Sequence, residues 1–202
     1  MDAARVLPLL PEQLDADQRA LRASILAGPR GAGPQAFPLS GADGTLEGPF
    51  GIFLHAPGVG GALSALGEGP RFAGTLDARC REIAVLTVAA ACASEFEWYA
   101  HSRLARGVGL SGPEIDAVGA GRPCSDDPRE LLVQDAACRL VVRERPDGDL
   151  ADRVLAGSAQ LGRWSSWPWW ATTARSLAPG GLRRRPARAG PGHAEPPGGT
   201  SR

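Results

Sequence analysis

Apolar residues in the first 162 positions recur at helical spacing, and Gly- and Pro-rich breaks separate the runs. Asp15-x-x-Gln18 has the form of a capping box and predicts a helix through about Ala27, with Leu21 and Ile25 on its inner face. GPRGAGPQAFPLSGADGTLEGPFG follows as a predicted loop of more than twenty residues. A structureless stretch that long inside a domain is ordinarily functional or disordered. His55-Ala56-Pro57 leads into a short helix to about Leu66. Asp77 caps the strongest element, ARCREIAVLTVAAACA, which is apolar almost all round after Glu82, as a fully buried helix is. Ser94-x-x-Glu97 is a second capping-box pattern, opening a helix to about Arg106 that Gly107 and Gly109 stop. Ser111, Pro113 and Glu114 start a short helix, and Asp127, Pro128 and Glu130 a longer one through about Arg143. Leu150 to Gln160 is the last helical stretch. No segment carries strand patterning, so the predicted class is all-α.

Composition adds a seam. With 202 residues, 43 % of them hydrophobic, the chain can bury one core and still carry a tail. The formal net charge of zero is a cancellation. Residues 1–162 hold 15 Arg against 21 Asp and Glu, about −6, whereas residues 163–202 hold seven Arg against Glu195 alone, about +6. Four of the five Trp fall within seven residues of that second part, and no Lys occurs anywhere. The expected organisation is therefore a domain over 1–162 and a Trp-, Arg-, Gly- and Pro-rich tail over 163–202. From Pro179 onward the Gly and Pro content predicts disorder.

No apolar run approaches the ~20 residues of a membrane span, and the first residues lack a signal-peptide pattern. A cytoplasmic protein is expected. Cys80, Cys92, Cys124 and Cys138 form no Cys-x-x-Cys pair and have no His at zinc-finger spacing, so neither a redox dithiol nor a structural zinc site is written here. Cys92 and Cys138 sit in apolar helical patterns and are expected to act as small core residues.

Candidate chemistry gathers around three residues. His101 follows Glu97 by four, so the two share a helix face, and Leu104, Ala105 and Val108 continue it as a buried stripe. Glu82 is the last charge before the uncharged run from Ile83 to Ser94, and a carboxylate entering a buried helix needs a partner such as an imidazole. Each residue also has a plain structural reading. Glu97 could close the capping box, His101 could be its i,i+4 partner, and Glu82 could pair with Arg79 or Arg81. Together they make a credible acid/base cluster. His193 lies in the Gly/Pro-rich tail and is set aside.

REIAVLTVAA (81–90), SEFEWYAH (94–101) and LARGVGLS (104–111) resemble the carboxymuconolactone decarboxylase family, which has the alkylhydroperoxidase D-like helical fold. DGTLEGPF (43–50) and His55-x-Pro57 look like its decarboxylase-like branch, and the likeness covers about residues 5–162. In the peroxidase branch, two cysteines occupy the positions here held by Ser94 and Glu97. A serine and a carboxylate cannot cycle as a dithiol, so peroxide reduction is not expected.

The resemblance implies decarboxylation of a small carboxylated lactone in aromatic-compound catabolism, without metal or organic cofactor. In that reading His101 is the acid, Glu82 orients it and Glu97 is a second acid/base group. Arg71 or Arg81 would anchor a substrate carboxylate, and His55 and Tyr99 would line the pocket. The alternative is a non-catalytic or differently specific helical protein of the same fold. The implied partners are a small-molecule substrate and further copies of the chain, as a trimer or hexamer if the final helix is intact, with no nucleic acid or membrane.

Relatives of this kind end in a further apolar helix, rich in Val and Leu with a Gly-Tyr-Tyr. Here RWSSWPWWATTA stands in its place, from Arg163 to Ala174, and Pro168 breaks helical patterning. Trp has the single codon TGG. With codons chosen to suit the family, among them GCT for Ala171 and ACT for Thr172, reading the same bases from the third position of the Arg163 codon gives Val-Val-Leu-Val-Ala-Leu-Val-Gly-Tyr-Tyr, and the four Trp codons fix much of that string. A frameshift near Gly162–Arg163 explains the seam. The rival reading is a genuine basic, aromatic tail, in which the Trp cluster and LRRRPAR contact nucleic acid or membrane. The nucleotide sequence around codon 163 and the intact mass of the natural protein decide between them. A one-base shift is expected, and an in-frame tail confirmed by mass overturns it.

Overall fold

Helix α4 (Ala78–Ala91) is the element on which the three helices after it pack. It belongs to a computed structural model that describes residues 6–32, 35–142 and 152–153. The other helices are α1 (Ala16–Ala27), α2 (Pro49–Phe53), α3 (Pro57–Glu68), α5 (Glu95–Gly107), α6 (Gly112–Gly119) and α7 (Pro128–Val142). No strand occurs among the described residues, only an isolated bridge between Ser40 and Leu46. The described residues are all-α, as the patterning predicts. None of the described helices is long and apolar enough to cross a membrane.

Local chemistry sets most helix starts. The Asp15 carboxylate accepts from the Gln18 amide at 2.8 Å, and the Gln18 side chain returns a bond to the Asp15 amide at 2.9 Å. Asp77 accepts from the amides of Arg79 and Cys80, and Ser111 with Glu114 closes a full capping box. Each of these bonds satisfies a helix-end N–H that would otherwise have no partner.

The all-round apolarity of α4 has a direct cause: it is covered on several sides. Cys80, Ala84 and Val88 pack against Val133 and Ala137 of α7. Ile83 and Leu86 meet Ala105, Leu110, Ile115, Val118 and Cys124 from α5, α6 and the turns beside them. A third cluster joins α1, α2 and the segment between them through Leu21, Ile25, Leu39, Leu46, Phe50, Phe53 and Leu54. The long Gly/Pro-rich segment is thus folded onto the protein where it is described, and Pro49 already begins α2 within it. Gly48 has φ +56, and a Cβ there would run into the Phe96 ring, so this turn needs glycine on two counts.

Two further expectations change. Cys80 and Cys124 are fully buried and Cys92 is half-buried against the α4–α7 cluster, whereas Cys138 is exposed. An apolar period alone does not say which side of a terminal helix is covered. Of the expected helix from Leu150 to Gln160, only Asp152 and Arg153 are described. The tail over 163–202, with its Trp cluster and His193, lies outside the described residues.

Arg79 ties three helices together. Its guanidinium donates to Glu130 of α7 at 2.6 Å, to Glu114 of α6, and to the carbonyl of Gly109 at 2.6 Å. Glu130 is buried, so removing its cation strands a charge. Arg79→Ala should lower unfolding free energy by roughly 3 kcal/mol, read from the urea midpoint; a change under 0.5 kcal/mol would show that the tie carries no stability.

Candidate active site

Three of the predicted site residues come together where α5 packs on α4. His101 Nδ1 donates to Glu82 Oε2 at 2.6 Å, across 19 residues of chain. On the other side of the ring, Nε2 lies 3.3 Å from Glu97 Oε2. Glu82 is 2 % exposed and His101 9 %. Arg81 Nε stands 3.4 Å from the second Glu82 oxygen.

The turn between the helices makes this meeting possible. The Ser94 amide donates to Ala89 and the Ala93 amide to Ala90, which closes the end of α4. Ala93 takes φ +51, a left-handed conformation that costs a non-glycine residue about 1 kcal/mol. Ser94 occupies the N-cap position of α5, but its side chain makes no capping bond. The expected box is therefore not formed. Glu97 points one turn along the helix to His101 instead of back to the helix start.

Burial and pairing oppose each other here. Burial of His101 disfavours its charged form, but the hydrogen bonds from Glu82 and Glu97 outweigh that and raise its pKa to about 9. Burial likewise pushes the Glu82 carboxyl upward, yet the hydrogen bond and charge of His101 hold it below the usual carboxylate range. At neutral pH the pair is an imidazolium beside a carboxylate.

His101 and Glu97 open onto a cavity of about 170 Å³. That is roughly the room of five or six water molecules, enough for a compact organic acid. Its wall comes from the segment after α1, from α2 and α3, and from the π-helical turn Gly69–Ala73. Phe37, Phe50, Phe53, Phe72 and Phe96 make most of it apolar, and Arg30 and Arg71 supply positive charge. Burial lowers the Arg71 pKa, and the Glu82 charge works against that effect. Among the described residues no group of three or more His, Cys, Asp and Glu is arranged to hold a metal ion.

The remaining predicted residues fall in different places. Arg71 lines the cavity. Arg81 does not, because its guanidinium is directed to Glu82. His55 is exposed beyond α2, with Nε2 3.0 Å from the Leu7 carbonyl, and it is not part of the wall. Tyr99 is 42 % exposed and stacks under Arg103 at 3.7 Å, also outside the lining. Residues 99 and 101 on one helix point about 200° apart, so a buried His101 turns Tyr99 outward. Arg30, Phe37 and Phe96 were not anticipated. The only hint in the sequence was the length of the segment that carries the first two.

Residues 57–137 match the model of the Carboxymuconolactone decarboxylase family. No curated protein and no solved structure matches the chain. The match spans Glu82, Glu97, His101 and Arg71, but not Arg30 or Phe37.

The His101 pKa makes stability depend on pH with a definite sign. Its folded value of about 9 lies above the ordinary 6.5, so its contribution is complete below pH 6.5 and disappears as pH rises through 9. Glu82, depressed from 4.5, contributes above that value and loses its effect as pH falls. Denaturant melts should show the native protein losing on the order of 3 kcal/mol between pH 6.5 and 9 relative to His101→Gln. Parallel curves for the two proteins would contradict the assignment.

Proposed function

We propose that this chain, which matches the carboxymuconolactone decarboxylase family model over residues 57–137, is a cofactor-free carboxy-lyase acting on a small carboxylated, unsaturated lactone. The observation that carries this reading is the buried Glu82–His101–Glu97 cluster opening onto an apolar cavity that also holds arginine. Loss of carbon dioxide leaves an electron pair that moves into the conjugated carbonyl of the substrate, and a proton must then reach carbon. An imidazolium is a suitable donor at neutral pH.

The two ring nitrogens have different tasks. Nδ1 is held by Glu82 at 2.6 Å and keeps the ring oriented and charged. Nε2, at 3.3 Å from Glu97, is held more loosely and is the nitrogen that transfers the proton. Glu97 keeps that proton in place until substrate arrives and helps to recharge the ring from water afterwards. Arg71 draws a substrate carboxylate toward the cluster. The cavity walls exclude water, which strengthens each of these interactions. Peroxide reduction through a thiolate is not part of this reading, because Ser94 and Glu97 stand at the two cysteine positions.

Turnover of a carboxymuconolactone by purified protein tests the proposal. His101→Ala should lower kcat by roughly 10²- to 10⁴-fold with circular dichroism unchanged. Glu82→Gln should move the alkaline limb of the pH profile below about 9, the native His101 value. Wild-type turnover in His101→Ala overturns the mechanism. A well-folded protein that turns over no lactone or keto acid points to a differently specific or non-catalytic member of the fold.

A further inference from the structure

We propose that Arg30 and Arg71 form a two-arginine clip that binds one carboxylate of the cavity's ligand, with Gly67 leaving room for the Arg30 guanidinium. This rests on the reading that the cavity beside His101 is the ligand site, and it adds a residue from outside the family match. The Arg30 side chain is only 11 % exposed, and its partners on the protein side are a long ion pair to Glu68 and one carbonyl. Nη2 donates to the Ser64 carbonyl at 3.2 Å. Nε lies 3.4 Å from Glu68 Oε1 but makes no hydrogen bond, and that same oxygen already accepts from Ser64 Oγ. The guanidinium sits over the Phe50 ring at 5.2 Å.

Arg71 is the complement. It reaches the same cavity from the π-helical turn, lies 5.2 Å from the centre of the Phe72 ring, and has no hydrogen bond or ion pair to any described residue. The two cations repel each other across the cavity, an effect that adds to the lowering of the Arg30 pKa by burial. An anion between them offsets that repulsion, meeting Arg30 on the side of its guanidinium that lines the cavity rather than at the buried Nε that Glu68 holds. A carboxylate suits that position because its two oxygens can each accept from a guanidinium. A neutral ligand relieves neither cation.

Gly67 gives the clip a second mark. A Cβ at this position would stand 2.7 Å from Arg30 Nη2, so alanine must push the guanidinium aside. The backbone has no such objection, since alanine is a better helix former than glycine. Gly67→Ala therefore displaces the cation without removing it, and the better helix propensity of alanine offsets the long Ser64 and Glu68 contacts that move with it.

Phenylacetate is the probe, since it carries one carboxylate on an apolar body and has no lactone to react. Calorimetric titration of the full chain should detect phenylacetate binding, with phenylacetamide bound at least tenfold more weakly. Arg30→Gln and Arg71→Gln should each weaken phenylacetate roughly ten- to hundredfold. The double variant should lose less than the product of the single losses, because both donors hold one group. Gly67→Ala should weaken binding while the melting temperature does not fall. Equal binding of acid and amide, no binding of phenylacetate at millimolar concentration, or an unchanged affinity in folded Arg30→Gln or in Gly67→Ala overturns the clip. Phenylacetate binding that depends on both arginines, in a protein that decarboxylates no lactone, retains the clip and removes the proposed reaction. Lactone turnover with a KM unaffected by Arg30→Gln does the reverse.

Discussion

The contact between Glu82 and His101 ties the two halves of this protein's chemistry to its packing. A carboxylate at 2 % exposure inside an otherwise apolar helix is strongly disfavoured unless a charged donor meets it. That donor comes from α5, so the pair fixes how α5 lies against α4. A pair of apolar side chains would fill the same space with no desolvation to overcome. We therefore read the charges as kept for what an imidazolium can do at the edge of a cavity, not for the stability of the helix pair.

The cavity is assembled from two sources with different characters. Helices α4 and α5 provide the Glu82–His101–Glu97 cluster within the family-matched residues. The segment after α1, together with α2, α3 and the π-helical turn, provides aromatic walls and two arginines. Its low-dielectric lining is what makes each charge effective, since the same groups in water would be screened. In the proposed reading, acid/base capacity and ligand choice are carried by separate parts of the chain.

Much of this was legible before any coordinates. Asp15, Asp77 and Ser111 marked helix starts because a cap bond involves residues only two or three apart. Glu97 and His101 shared a face because four residues is nearly one helical turn. The same local logic misread other positions. Ser94 and Glu97 have the spacing of a capping box, yet the glutamate turns to His101, since a buried imidazolium is a stronger partner than a backbone amide. Arg81 sits beside Glu82 in sequence and pairs with it, which leaves it outside the cavity. Tyr99 faces away because its helix had only one buried side to offer.

The sequence by itself determined the all-α class, the order and ends of most described helices, and that Glu97 and His101 share one helix face. All of these depend on patterns within a few turns of chain. Tertiary structure alone decided that Glu82 meets His101 across 19 residues, that Cys80 and Cys124 rather than Cys138 are core, and that Arg30 joins Arg71 in one wall. Those outcomes depend on which faces are covered by distant segments. Burial then sets the charge state of each group, and local spacing carries no record of burial.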